Sequence, residues 1–493
     1  MASQPHPEVS RILQVLGKGL HRTALAQAEK LRVKDDRAGR LAMMQIFAEM
    51  NDSLGFVSCL SGLDQSEVPE NLLPFAIRAL TFTGQKETAS HWAETLLEHT
   101  ATGDRKIVVA AMFEEMGDLE RAKEIFNELG QVALQSPRAS LLQARFALAD
   151  KDYPAAVEVL EAAKLKFPRG LGPISSRMTQ AELGFLLSRA YDKLGQYDSA
   201  WAAAADAHTA KPEVFDVDQY ESEAERIMDF FTRSRIKKLH RASEQPVEPL
   251  LVMGNPRSGT TLLDTILGMH PEVVSGGELS IGSRLENKLE PLLDSYLGYP
   301  DCLTELRVDD ANTLAHAYAE AVRPISKGRR FVTNKALNIN AQLGFLRCIA
   351  PGLRTISLHR HPLDNCVSCF MSLIPMRGHG YVQDQELMAR VWIARRRLQD
   401  HWAEVLDDEP MLQLHYESMV NNQEHETRRI LDFLSLEFTA DCLRFHESDS
   451  IAATVSSKQV QQPMYSTSAG RWKRYEKHLS VLIDRLGPWL EST

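Results

Sequence analysis

Two rhythms of apolar and polar positions divide the chain. Over roughly the first 215 residues, apolar side chains recur at helical spacing and one short pattern returns again and again. It reads GLHRTALAQA from Gly19, GQKETASHWA from Gly84, GDLERAKEIF from Gly117, KDYPAAVEVL from Lys151 and GQYDSAWAAA from Gly195. NDSLGFVSCL, from Asn51, is a degenerate copy. In each of the other five, a small or turn residue is followed five positions later by an alanine. The pattern predicts a helix, a tight turn and a second helix, with the compact residue letting the two helices approach closely.

The copies at residues 84, 117 and 151 are 33 and 34 positions apart. That period resembles the tetratricopeptide repeat, and Pro168 and Pro212 stand where that repeat often carries proline. Such repeats stack into a superhelix whose concave face binds peptides or proteins. Residues 216–242 predict one more helical stretch, with Tyr220, Ile227, Phe230 and Phe231 on one face, bridging the two halves. The two prolines of SEQPVEP (residues 243–249) mark the expected boundary.

Beyond it the rhythm shortens. LLVMG (250–254), RFVTN (330–334), RTISLHR (354–360) and MLQLHYE (411–417) are strand-length runs separated by helical stretches. Alternation of this kind predicts a parallel sheet covered on both faces, with ligands at the carboxyl ends of its strands. The expected fold is α plus α/β: a helical repeat domain over 1–215, a helical linker over 216–248 and a P-loop-like α/β domain over 249–493.

Composition narrows the classes. The formal net charge of −10 over 493 residues argues against a nucleic-acid binder, which needs a basic face. No apolar run reaches the about 18–20 residues of a membrane span, and the first residues show no secretory leader. Six scattered cysteines suit a reducing compartment, so a cytoplasmic protein is expected. Cys366 and Cys369 form a lone C-x-x-C inside a helical stretch and read as helix packing. His359 and His361 flank Arg360, whose charge would repel a metal cation; no metal site is expected.

GNPRSGTT (254–261) follows the first strand and opens a helix over 262–269, the setting of a phosphate loop. Gly254 and Gly259 have Walker A spacing, but Thr260 stands where the lysine of a nucleotidase belongs. The cation is Arg257 instead. Backbone N–H groups of Arg257, Ser258, Gly259, Thr260 and Thr261 and the helix N-terminus suit an anion that is gripped but not hydrolysed with metal help.

PRSGTTLL resembles the 5′-phosphosulfate loop of sulfotransferases that use 3′-phosphoadenosine 5′-phosphosulfate (PAPS). The likeness is to the tyrosylprotein sulfotransferases and to bacterial proteins joining tetratricopeptide repeats to such a domain. It runs from about Pro249 to the C-terminus and carries five further blocks. SLHRHPLDNCVSCF places Ser368 eight residues after Arg360, the family's pair for the 3′-phosphate. The planar fork of Arg360 suits such a group. Ser372 replaces a second arginine of the animal enzymes, which would loosen this grip. Glu278, in SGGEL, stands at the position of the catalytic base, and Lys335, in VTNKAL, at that of the cation stabilising the leaving oxygen. Tyr416, in QLHYESMV, matches a nucleotide contact. VSSKQVQQPMYSTSAGRWKRY (455–475) resembles the C-terminal nucleotide loop. There Ser456 aligns with a transition-state serine, Ser457 and Tyr465 lie along the nucleotide, and Arg471 aligns with a basic phosphate contact.

The resemblance implies in-line sulfuryl transfer from PAPS to a hydroxyl acceptor, without a metal. Glu278, Lys335, Arg257 and Ser456 would be catalytic. The acceptor would be a peptide or protein, tyrosine among the candidates, or a small hydroxylated molecule. The repeats would bind a protein or join two copies, and residues before about 215 would select the acceptor without touching PAPS. The rivals are a P-loop kinase or nucleotidase, and a repeat scaffold with a degenerate domain.

Overall fold

The repeated motif is a helical hairpin. In the computed structural model, which describes residues 6–50, 52–99, 102–167, 174–210, 213–244, 246–374, 378–408, 410–447, 462–464 and 467–490, helices His21–Lys34, Lys86–Glu98, Leu119–Asn127, Tyr153–Lys166 and Tyr197–Ala210 each follow one of its turns. The turn residues Gly19, Gly84, Gly117, Lys151 and Gly195 all have positive φ, from 61° to 90°. Four of the five are glycine because a Cβ is strained there. The alanines five positions on, Ala24, Ala89, Ala122, Ala156 and Ala200, are wholly buried. This shared register explains the repeat: a left-handed turn reverses the chain, and a methyl group is all the space between two helices admits. Pro168 and Pro212 lie outside the described residues.

The chain forms two compact units, one up to Val159 and one from Leu160 onward. Among the described residues the first contains helices and no strand, with a core that includes Ile46, Phe47, Phe56, Ile77 and Phe113.

The second unit is built on five parallel strands in the order β2-β3-β1-β4-β5. They are β1 (Glu248–Gly254), β2 (Val273–Val274), β3 (Phe331–Asn334), β4 (Arg354–His359) and β5 (Met411–His415). β1 is central, pairing Leu250 with Thr333 on one side and with Arg354 on the other. Its apolar run is continuous because both faces are covered. The four strands expected from the sequence are present; β2, two residues long, was too short to show as a period. Pro249 does not end an element as expected. It sits inside β1 opposite Val332, near the strand's start, where a missing N–H costs little.

The second unit also takes in helices that precede residue 215. The hairpin Ile174–Lys193 and Tyr197–Ala210 buries Ala200, Trp201, Ala204 and Ala207 in one core with Cys366, Phe370, Tyr475 and Leu482. Trp201 stacks on Phe370 with ring centroids 4.2 Å apart, and His208 Nε2 lies 2.8 Å from the Phe370 carbonyl oxygen. The expected helix over 216–242 is two pieces, Val217–Phe230 and Arg233–Ile236. Ile227, Phe230 and Phe231 are buried as one face, while Tyr220 is half-buried. Arg390, on helix Gln385–Val405, reaches Asp218 at 2.5 Å and donates Nε to Glu221 at 3.0 Å.

Candidate active site

The carboxyl ends of the parallel strands carry most of the described candidate residues. The loop after β1 carries Arg257 to Thr261, Lys335 directly follows β3, Arg360 directly follows β4, and Tyr416 directly follows β5. Glu278 lies four residues beyond β2. The strand order therefore sets the β1 loop in the middle, Glu278 and Lys335 on one side, and Arg360 and Tyr416 on the other.

The loop turns sharply. Arg257 has φ 65° and Gly259 φ 103°, and helix Thr260–Gly268 starts at once, two residues earlier than the sequence suggested. A Cβ on Gly259 would lie 2.5 Å from the Tyr416 ring, so only glycine lets that ring close over the loop. The Arg360 guanidinium lies 4.5 Å from the centroid of the same ring, a cation–π contact. Arg360 also donates to the Arg257 carbonyl oxygen at 2.7 Å and to that of Ser468 at 2.9 Å. Arg257 Nε donates to Ser368 Oγ at 3.2 Å. Arg257, Arg360 and Ser368, expected at opposite ends of one ligand, are thus a single cluster.

These residues line a cleft of about 670 Å3 with Thr261, Asp364, Ser468, Arg471 and the chain around Pro463. Ser456, Ser457 and Tyr465 lie outside the described residues. Arg471 is held by the helical hairpin: its Nη2 is 3.0 Å from Asp192 Oδ1. Ser258 and Thr260 are buried.

Glu278 and Lys335 form their own pair at 3.0 Å and are not part of the cleft's lining. The Lys335 side chain is 2% exposed and that of Glu278 45%. The lysine is thus a fixed charge, while the carboxylate keeps an open side toward solvent. Their loops are tied to the core by residues that the sequence reading missed. Asp264 accepts from Ser275 Oγ at 2.6 Å and bonds Thr333 Oγ1, which in turn accepts from the Gly276 N–H at 3.0 Å. Asn334 Oδ1 accepts from Leu279 N at 3.1 Å and from Ala336 N at 3.0 Å. Burial pushes the Asp264 carboxyl above its ordinary pKa, against the pull of Lys335. Asp264 was legible only as an acid alone in an apolar helix.

Asp364 was missed too. It accepts from Gly470 N at 2.6 Å and Trp472 N at 2.8 Å, fixing the chain that carries Arg471. Its signal was an acid in the first turn of helix Pro362–Phe370, four residues after Arg360. Cys366 and Cys369 are buried on that helix, and burial raises both thiols above the ordinary range. His359 is pushed down to about 4 by burial, and its Nε2 lies 2.7 Å from Gln413 Oε1. His361 stacks on Trp472 at 5.5 Å. Among the described residues, no three His, Cys, Asp or Glu side chains gather as a metal site.

The donor set suits an anionic ligand. Ser258 Oγ, Arg360 Nε and Arg471 Nε are buried with no hydrogen-bond partner. All three can donate, two of them from a charged group, and unpaired buried donors of this kind call for an anionic acceptor.

The family comparison agrees with this chemistry. Residues 249–440 match the sulfotransferase family model. That stretch is similar to a sulfotransferase domain. It is similar to an Aquifex aeolicus (strain VF5) protein named only "Uncharacterized protein", 26% identical over 380 residues, which cover 75% of this chain and 48% of that one. The chain thus spans about half the length of that relative. A Caenorhabditis briggsae protein named "Putative protein-tyrosine sulfotransferase" is 24% identical over 206 residues, covering 40% of this chain and 69% of that one. Among solved structures, the sulfotransferase domain of the Synechococcus PCC 7002 olefin synthase aligns at 20% identity and a TM-score of 0.36, over 48% of this chain and 90% of that domain.

Proposed function

We propose that the chain is a sulfotransferase that uses PAPS to sulfate a hydroxyl acceptor. The observation that carries this reading is the arrangement at the strand ends: an arginine-bearing loop at the centre, a carboxylate–lysine pair on one side, and Arg360 on the other, lining one cleft with Ser368. PAPS, when bound, supplies the sulfuryl group, whose bond to the 5′-phosphate oxygen breaks as the acceptor oxygen bonds to sulfur. The β1 loop, Ser258 and Arg257 would hold the 5′ end. Arg360, Ser368 and Arg471 would hold the 3′-phosphate, and Tyr416 would pack against the nucleotide. Ser456, Ser457 and Tyr465 are proposed, on sequence likeness alone, to complete that loop.

Glu278 takes the acceptor's proton in this scheme. Its open side leaves room for a hydroxyl, and Lys335 beside it offers a fixed cation to developing negative charge. A tyrosine hydroxyl, with an ordinary pKa near ~10, needs less activation than a sugar hydroxyl. The likeness to the Caenorhabditis protein supports a peptide tyrosine as the acceptor class. The six cysteines are free buried thiols, which supports a reducing, cytoplasmic setting. Among the described residues no helix is long and apolar enough to cross a membrane.

Calorimetry with adenosine 3′,5′-bisphosphate in EDTA tests the reading. Saturable binding is expected, and Arg360→Ala should weaken it by about 1.5–3 kcal/mol, the range for a hydrogen bond to a charged group. Tight binding of magnesium ATP with no response to the bisphosphate would replace this reading with a kinase or nucleotidase.

A further inference from the structure

The segment that brings Arg471 to the cleft is gripped from the side by the helical hairpin at three points. Asp192, near the end of helix Ile174–Lys193, lies 3.0 Å from Arg471 Nη2 and also accepts from the Tyr475 hydroxyl. Asp198, early in the next helix, pairs with Lys477 Nζ at 2.6 Å and His478 Nε2 at 2.8 Å. Trp201 stacks flat on His478, with centroids 5.3 Å apart and planes within 5°. Arg471 itself lines the cleft, and its Nε is buried without a partner.

We infer that Asp192 is a positioning residue for the nucleotide's 3′-phosphate, acting through Arg471. This rests on the sulfotransferase reading above. A guanidinium is a rigid planar fork with five N–H donors. Asp192 holds one edge of it, at Nη2, and Met371 Sδ lies 3.8 Å from the same nitrogen. The Nε edge is thereby left for an anion. Fixing a long side chain in advance removes the ordering cost that binding would otherwise carry. The Asp192 carboxylate is 11% exposed and the Arg471 side chain 25%, so the pair is shielded from the screening that weakens surface pairs. The carboxylate also keeps Arg471 from swinging fully onto any phosphate, so its service is orientation, not charge. The hairpin that supplies Asp192 is built on the same turn-and-alanine motif as the other helical pairs, with Gly195 at its turn and Ala200 buried. This last repeat therefore supports the cleft from behind, through Arg471.

The test compares two nucleotides on the full chain. Wild type, Asp192→Asn, Arg471→Ala and the double variant are titrated with adenosine 3′,5′-bisphosphate and with adenosine 5′-monophosphate, which lacks the 3′-phosphate. Asp192→Asn should weaken the bisphosphate about tenfold or more, the low end for a charged hydrogen bond, and leave the monophosphate within about twofold. In the double variant it should add nothing to Arg471→Ala, since the two act on one contact. Arg471→Lys keeps a cation but loses the fork and should show the same selective loss, which covers the case in which Asp192→Asn does not fold. Equal weakening of both nucleotides, or additive losses, would overturn the inference in favour of a purely structural bond. A wild-type chain blind to the bisphosphate would instead overturn the sulfotransferase reading beneath it.

Discussion

Glu278 and Lys335 show how one ion pair can serve two ends. Lys335 is buried and its ammonium reaches a carboxylate that is itself half in solvent. Removing the acid would strand a buried cation, a change that costs about 3–5 kcal/mol when one partner of a buried pair is lost. Glu278→Gln is the cleaner test because the amide oxygen still accepts from Lys335. It keeps the shape and loses the ability to take a proton. Sulfate transfer should fall by about 10²–10⁴, the range for general-base loss, while bisphosphate affinity stays near that of wild type. Turnover close to normal in single-turnover assays would move the base elsewhere. Both residues were legible in the sequence through their likeness to a family motif. Their pairing was not, because 57 positions separate them and only the β2–β3 neighbourhood brings their loops together.

At the scale of elements, the strands and the hairpins were readable and their fastenings were not. β1, β3, β4 and β5 announced themselves as apolar runs at strand length, and the turn glycines marked the hairpins. Asp264 belongs to no period: it is one acid in TTLLDTILG, and its meaning depends on Ser275 and Thr333 arriving from two other elements. It ties the loop helix, the chain before Glu278 and the strand before Lys335 into one unit. Burial raises its pKa, so the native state holds its proton more tightly than the unfolded chain does. That contribution is complete below the unfolded value of about 3.9 and is lost as pH rises through the folded value. Asp264→Asn keeps hydrogen-bonding atoms and has no proton to lose. Its stability relative to wild type should therefore improve as pH rises above about 4. Asp264→Ala leaves the half-buried hydroxyl of Ser275 without its acceptor and the buried one of Thr333 with only the Val274 carbonyl oxygen at 3.4 Å, and should cost about 1–3 kcal/mol. Urea melts across the pH range would read both effects; a Glu278-independent fall in stability with the opposite pH trend would show that Asp264 is a charged partner of Lys335.

At the scale of the whole chain, the sequence suggested a cut near residue 243, with the chemistry on one side and acceptor selection on the other. The second compact unit begins instead at Leu160. The reason is the apolar face of helices 362–370 and 480–490, which the hairpin at 174–210 covers with Ala200, Trp201, Ala204 and Ala207. Composition could not show this, since the last repeat reads like the others and differs only in what it packs against. A chain starting at Ser243 would bare Phe370, Tyr475 and Leu482, leave Arg471 without Asp192, and remove helix Val217–Phe230 from Arg390. Burying an aromatic or leucine side chain contributes about 1.5–3 kcal/mol, so baring these three removes a large share of a typical domain's margin of about 5–15 kcal/mol. Such a chain should be insoluble or molten. A chain starting at Asp152, whose side chain caps helix Tyr153–Lys166 through the Ala155 N–H at 3.1 Å, keeps the hairpin. It should fold, melt cooperatively and bind adenosine 3′,5′-bisphosphate as tightly as the full chain. If it does, and sulfation of the natural acceptor is lost, acceptor selection belongs to the helices before residue 152. If transfer survives as well, those helices serve assembly or anchoring. Failure of the Asp152 chain to bind the bisphosphate while folded would mean that the earlier helices shape the cofactor site too.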